Sequence, residues 1–187
     1  MFDIQVIGIK FVKTKQFGDF NWMCKQEEFA NSLFIFNDNE EHHETSKPGL
    51  GNAIMRKYNR YSSEPIPMSA GIPTGTLKSG GYNKLDKRTK KTIDMSIDEI
   101  IQLIKVYKYT RVYFSSELDG KLGTSIFEVD SNVINYITSQ IYNLAINPVQ
   151  IIRVLPRDYF EDSYDLTDDL TDDLTDDLTD EIESMET

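Results

Sequence analysis

Apolar residues along this chain fall into short runs with two different spacings. Leu33, Phe34, Ile35 and Phe36 are continuous, lack helical spacing and are followed at once by polar residues, which predicts a buried strand. Ile4, Val6, Ile7, Ile9, Phe11 and Val12 alternate in part with Gln5 and Lys10 and predict a first strand. Ser69–Thr76, Arg111–Ser115 and the β-branched stretch 149–155 supply three more. Helical spacing takes over at Ile97, Ile100, Ile101, Ile104 and Tyr107, behind the capping box Ser96-Ile97-Asp98-Glu99. It returns at Ile134, Ile137, Ile141 and Leu144, with Asp130 or Ser131 as cap and Asn147-Pro148 as stop. A helix capped by Asn21 with Trp22, Gln26 and Phe29 on one face, and another from near Gly51 that ends before Pro65-Ile66-Pro67, complete the pattern. Strands alternating with helices predict an α/β domain, three-layer α/β/α, with a mostly parallel mixed sheet over 1–157.

Charge divides the chain at a definite place. Of the 31 acidic residues in 187, 14 fall within 158–187, which holds no Lys, Arg or His. That leaves 17 acids against 20 bases in 1–157, so the net charge of −11 belongs to the tail and the domain is slightly basic. The tail repeats Asp-Leu-Thr-Asp from 165, 169, 173 and 177; stacked aspartates and weak helix formers predict disorder there. No run reaches the roughly 20 apolar residues of a membrane helix, and the single cysteine, Cys24, cannot pair internally. A cytoplasmic protein, host-cell cytoplasm if viral, is the expectation. The polar, basic segment that follows Gly80-Gly81 and runs through Lys91 interleaves no aromatic with its bases except Tyr82, so nucleic acid is not expected as a partner.

Candidate chemistry lies in the loops. In a parallel sheet the turns after the strands gather at one edge, and three of them contain glycine: 37–52, 74–81 and 120–125. Together they offer backbone N–H groups, amides and hydroxyls to a phosphorylated ligand. Thr74 and Gly75 are candidates from the middle loop, and Asp38 is the one carboxylate placed to act as a general base, against the plainer role of a loop cap. His42 and His43 stand among Glu40, Glu41 and Glu44, but adjacent residues point apart and no ligand spacing supports a metal. No nucleophile elbow, P-loop or dinucleotide fingerprint is present, and no cofactor is expected.

The order of a strand, an Asn-rich loop, Gly49-Leu50-Gly51-Asn52-Ala53 opening a helix, and later Leu122-Gly123-Thr124-Ser125-Ile126-Phe127 before a final helix resembles the macro domain. That family binds ADP-ribose. The resemblance implies that Asn37, Asn39, Gly49, Gly51, Asn52 and Ala53 hold the distal ribose, and that Gly123, Thr124, Ser125, Ile126 and Phe127 wrap the diphosphate. The sequence departs from the family in two places: Ser125 stands where glycine is usual, and Asn37-Asp38-Asn39 only approximates Asn-Ala-Ala-Asn. The chain is also similar to uncharacterised proteins of phages and large DNA viruses. Two functions follow as expectations: binding, with hydrolysis as an extension, of ADP-ribose or a related nucleotide, or noncatalytic interaction in which the acidic tail engages a basic partner.

Overall fold

The computed structural model describes residues 2–124 and 127–146 and the backbone of 151–153; the tail and most of the last expected strand lie outside them. It is an α/β fold on a mixed, mostly parallel sheet. The strands are β1 (Gln5–Ile9), β2 (Ser32–Asn39), β3 (Ser69–Thr76), β4 (Gly80–Gly81), β5 (Arg111–Ser115) and β6 (Ile151–Arg153), in the order β4-β3-β2-β5-β1-β6. Only β4 runs antiparallel, as the return arm of a hairpin with β3.

β2 is the central strand, and all eight of its residues are buried. Its side chains alternate between two cores, as a period of two requires. Leu33 and Ile35 join Val6, Val112 and Phe114 in one; Phe34 and Phe36 join Ile7, Ile9 and Tyr113 in the other. The first core is closed by α2 (Lys87–Tyr107), through Ile93, Ile97, Ile100 and Ile104, and by α3 (Ser131–Tyr142), through Val133, Ile137 and Ile141. The second is closed by Phe20 and Met23 of α1 (Phe20–Met23), by Phe29, and by Met55 of a 3₁₀ helix over Gly51–Tyr58.

Several elements differ from the sequence expectation, each for a local reason. α2 begins nine residues before the capping box, because the Asp86 carboxylate accepts the N–H groups of Arg88 (3.0 Å) and Thr89 (2.9 Å) and so caps the helix itself. The basic residues 87–91 form its first turns, and Ser96 lies in its interior, its hydroxyl donating to the Thr92 carbonyl at 3.3 Å. The expected Asn21 helix is a single four-residue turn capped by Asp19, followed by a 3₁₀ turn at Glu27–Phe29. The helix after Gly51 is 3₁₀ rather than α. Asn37, Asp38 and Asn39, expected in a loop, are the end of β2, paired with Ile72, Pro73 and Gly75 of β3.

Candidate functional site

The carboxyl ends of β1, β2, β3 and β5 share one edge because these strands are parallel, and two chambers lie there. The first encloses about 530 Å³, within the range of small-molecule sites. It is bounded by Gly51, Asn52 and Met55 on the 3₁₀ helix, by Ser115, Ser116, Glu117 and Gly123 after β5, and by the segment after β1 that runs from Lys10 to Asn21. The second, about 360 Å³, is bounded by Asn37, Asp38 and Asn39, by Lys47 to Leu50, and by Leu77 and Phe127. The two meet at a pair of amides: Asn52 Nδ2, from the first, donates to Asn37 Oδ1, from the second.

Gly51 has φ +57°, a left-handed backbone that glycine adopts without the strain a side chain would add. It turns the chain into the 3₁₀ helix and puts Asn52 opposite the end of β2. At Gly123 a Cβ would come within 3.3 Å of Glu117 Oε1 and 3.5 Å of Ser115 Oγ, so the bare backbone leaves room inside the first chamber. Gly49 serves the fold instead: its N–H donates to the Ala53 carbonyl at 3.1 Å, and a Cβ would lie 2.9 Å from that of Ala53.

The expected residues therefore divide. Gly51, Asn52 and Gly123 line the first chamber, and Asn37, Asp38, Asn39, Gly49 and Phe127 the second. Thr124 faces a separate cleft beside Glu117. Thr74 and Gly75 line neither chamber. Thr74 is buried in β3 with its hydroxyl directed at the Asp38 carbonyl (3.3 Å), and Gly75 lets β4 approach, since a Cβ there would lie 2.3 Å from the Gly80 carbonyl oxygen. Ser125 and Ile126 lie outside the described residues.

Asp38, the expected base, is an anchor. Its carboxylate is fully buried, both oxygens accept from Arg56 Nε at 3.0 Å, Oδ1 also accepts from Arg56 Nη2, and the Asn39 N–H donates to it at 2.8 Å. Gly71 makes the space, for a Cβ there would stand 2.8 Å from Asp38 Oδ2. A carboxylate whose oxygens are taken up by a buried guanidinium and a backbone N–H has little freedom to reach a substrate.

The segment after β1 is not one of the glycine-rich turns expected at this edge, because it holds Gly18 alone and leads only into the four-residue α1. Its position after a parallel strand was the available signal. It contributes Lys10, whose Nζ lies 3.0 Å from Glu117 Oε2 across the first chamber, and Asp19, which caps α1 through the Trp22 N–H (3.2 Å). Ser116 Oγ is buried without a hydrogen-bond partner among the described residues. Burial pushes the nearby Cys24 thiol far above its ordinary value despite the charge of Lys57, so it is a packed thiol. Among the described residues no three His, Cys, Asp or Glu side chains gather as a metal site would need.

The loop after β2 is fastened to α2. Arg88 Nη2 donates to Glu40 Oε2 at 2.7 Å, and Arg60 Nε, from just past the 3₁₀ helix, lies 3.3 Å from Glu99 Oε1. Burial raises the Glu99 carboxyl above its ordinary value, and the charges of Arg60 and His43 offset only part of that. The folded state thus holds this proton more tightly than the unfolded chain does. Its contribution to stability is complete below the ordinary value of 4.5 and is lost as pH rises through the higher folded value. Glu99→Gln is expected to gain on the parent in urea midpoint as pH rises above 4.5; a relative loss as pH rises would contradict this.

Among the described residues no helix is long and apolar enough to cross a membrane. No family model, no curated protein and no solved structure matches this chain.

Proposed function

We propose that the chain binds ADP-ribose or a related phosphorylated nucleotide in the first chamber, on a domain of three-layer α/β/α, macro-like architecture that works in the cytoplasm. The observation that carries this reading is the meeting of Gly51, Asn52 and Gly123, from two separate glycine turns, around one cavity at the carboxyl edge of a parallel sheet. Backbone close to a ligand without intervening side chains is what a phosphate requires of a glycine turn. Apolar walls from Phe20, Ile54 and Met55 suit a base or a ribose face. The reading is one of binding; hydrolysis, if it occurs, needs a base other than Asp38.

Side-chain charge sharpens the test. Among the described residues Lys10 is the one cation on the chamber wall, and it faces Glu117. An anionic ligand would draw Lys10 away from that carboxylate. Calorimetry is expected to show ADP-ribose binding that weakens about ten-fold in Lys10→Gln, tightens in Glu117→Gln and falls with added salt. No heat and no thermal shift with ADP-ribose would overturn the reading.

A second reading, a noncatalytic interaction protein, perpetuates the charge asymmetry of the chain: 14 acids in 158–187 against a slightly basic remainder. Removing 158–187 distinguishes the two. Loss of capture of a basic partner with ADP-ribose binding absent favours the interaction protein, and unchanged ADP-ribose binding favours the nucleotide reading.

A further inference from the structure

We infer that the second chamber is an anion subsite, which takes a terminal phosphate or carboxylate on a ligand whose body fills the first. The spanning ligand rests on the nucleotide reading of the first chamber, whereas the charge of the second stands by itself. Side chains set the two chambers apart. The first has Lys10 against two carboxylates, Asp19 and Glu117. In the second, Asp38 and Arg56 cancel each other, and Lys47 and His42 remain.

The acids of the preceding loop do not neutralise them. Glu40 is held by Arg88 at 2.7 Å and by the Thr92 hydroxyl at 3.3 Å, Glu41 accepts the Leu77 N–H at 3.1 and 3.0 Å, and Glu44 lies beside His43 Nε2 at 3.8 Å. Glu40 and Glu44 are paired with other side chains and Glu41 is fixed on the Leu77 backbone at the chamber wall, so none of the three lies within ion-pair distance of Lys47. Lys47 has no ion-pair partner among the described residues. The backbone of His42 is fixed from both sides, its N–H by Asn39 Oδ1 (3.0 Å) and its carbonyl by the Thr45 hydroxyl (2.9 Å), while no hydrogen bond within the described residues occupies its ring.

The rest of the wall is apolar. Leu50 and Leu77 are 90% and 60% exposed beside Phe127, so an occupant would cover apolar surface and lower the local dielectric around Lys47. The Asn52–Asn37 amide pair stands between the chambers, with hydrogen-bonding groups for a ligand that passes from one to the other.

The chain has two histidines, so its imidazole C2–H signals can be followed by proton NMR and assigned with His43→Gln. Full-length protein is titrated with inorganic phosphate and, separately, with acetate at constant ionic strength. The His42 signal is expected to move saturably while that of His43 moves little. Lys47→Gln should weaken this about ten-fold, and Lys105→Gln, on the exposed side of α2, should not. Tighter binding of phosphate or of acetate identifies which terminal group the chamber prefers, and either supports the subsite. No saturable movement with either anion, or equal behaviour of the two lysine variants, would overturn it. ADP-ribose binding without an anion effect at His42 removes the second chamber alone. An anion effect without ADP-ribose binding removes the nucleotide reading and the spanning ligand, and leaves the anion subsite.

Discussion

Asp38→Ala is expected to destabilise the protein by about 3–5 kcal/mol, because it strands a buried guanidinium. The Arg56 side chain is 4% exposed and that of Asp38 0%, so the guanidinium would lose its main partner with little solvent contact to replace it. The same substitution releases the Asn39 N–H, which the carboxylate now accepts at 2.8 Å. Replacing both members, Asp38→Leu with Arg56→Met, should recover a large part of the loss, since an apolar pair of similar volume carries no unpaired charge. Urea unfolding of the two singles and the double decides between them. A cost below about 1 kcal/mol for Asp38→Ala would mean that the pair does not anchor the end of β2. The result also separates anchor from base: a base would lose turnover with stability intact, whereas an anchor loses stability first.

Phe34→Ala should cost about 3–5 kcal/mol, the usual range for removing a fully buried aromatic. Phe34 lies among Phe20, Tyr113 and Phe29, at centroid distances of 5.1, 5.3 and 6.3 Å, with the Tyr113 ring stacked on it. Phe34→Leu, which keeps more of the volume, should cost less. The effect extends to the site because Phe20 belongs both to this cluster and to the wall of the first chamber. On the proposed nucleotide reading, ADP-ribose affinity in Phe34→Leu should fall along with stability. Unchanged stability in Phe34→Ala would show that the second core can refill the space.

The central strand and the apolar faces of α2 and α3 were legible in the sequence because burial there is uniform: Leu33 to Phe36 are continuous, and Ile137 and Ile141 keep helical spacing. Polar residues were misread where their partners are distant. Asn37, Asp38 and Asn39 resemble loop residues by composition, yet a strand can bury them because Arg56 satisfies the aspartate from 18 positions away and Asn52 satisfies the first asparagine. A single sequence does not announce such pairings. Asp86 was hidden for a different reason, as both it and Ser96 have cap chemistry and the lysines behind Asp86 suit a solvated turn equally well.

Of the glycine loops, the two that flank the first chamber could be inferred from the topology rule alone. The third, around Thr74 and Gly75, obeys another constraint: its small residues admit a neighbouring strand rather than a ligand. Gly71 carried a readable hint, since a glycine inside a strand often marks a close neighbour, here the Asp38 carboxylate.

The β3–β4 hairpin has a consequence for how chains meet one another. β4 is only two residues long, and a Cβ on Gly81 would stand 2.2 Å from the Glu128 carbonyl oxygen, so the segment leading into α3 lies directly against it. The Asp130 N–H donates to the Tyr82 carbonyl at 2.8 Å just beyond. A margin this short and already occupied gives a foreign strand nothing to extend, which guards this border of the sheet against edge-to-edge aggregation.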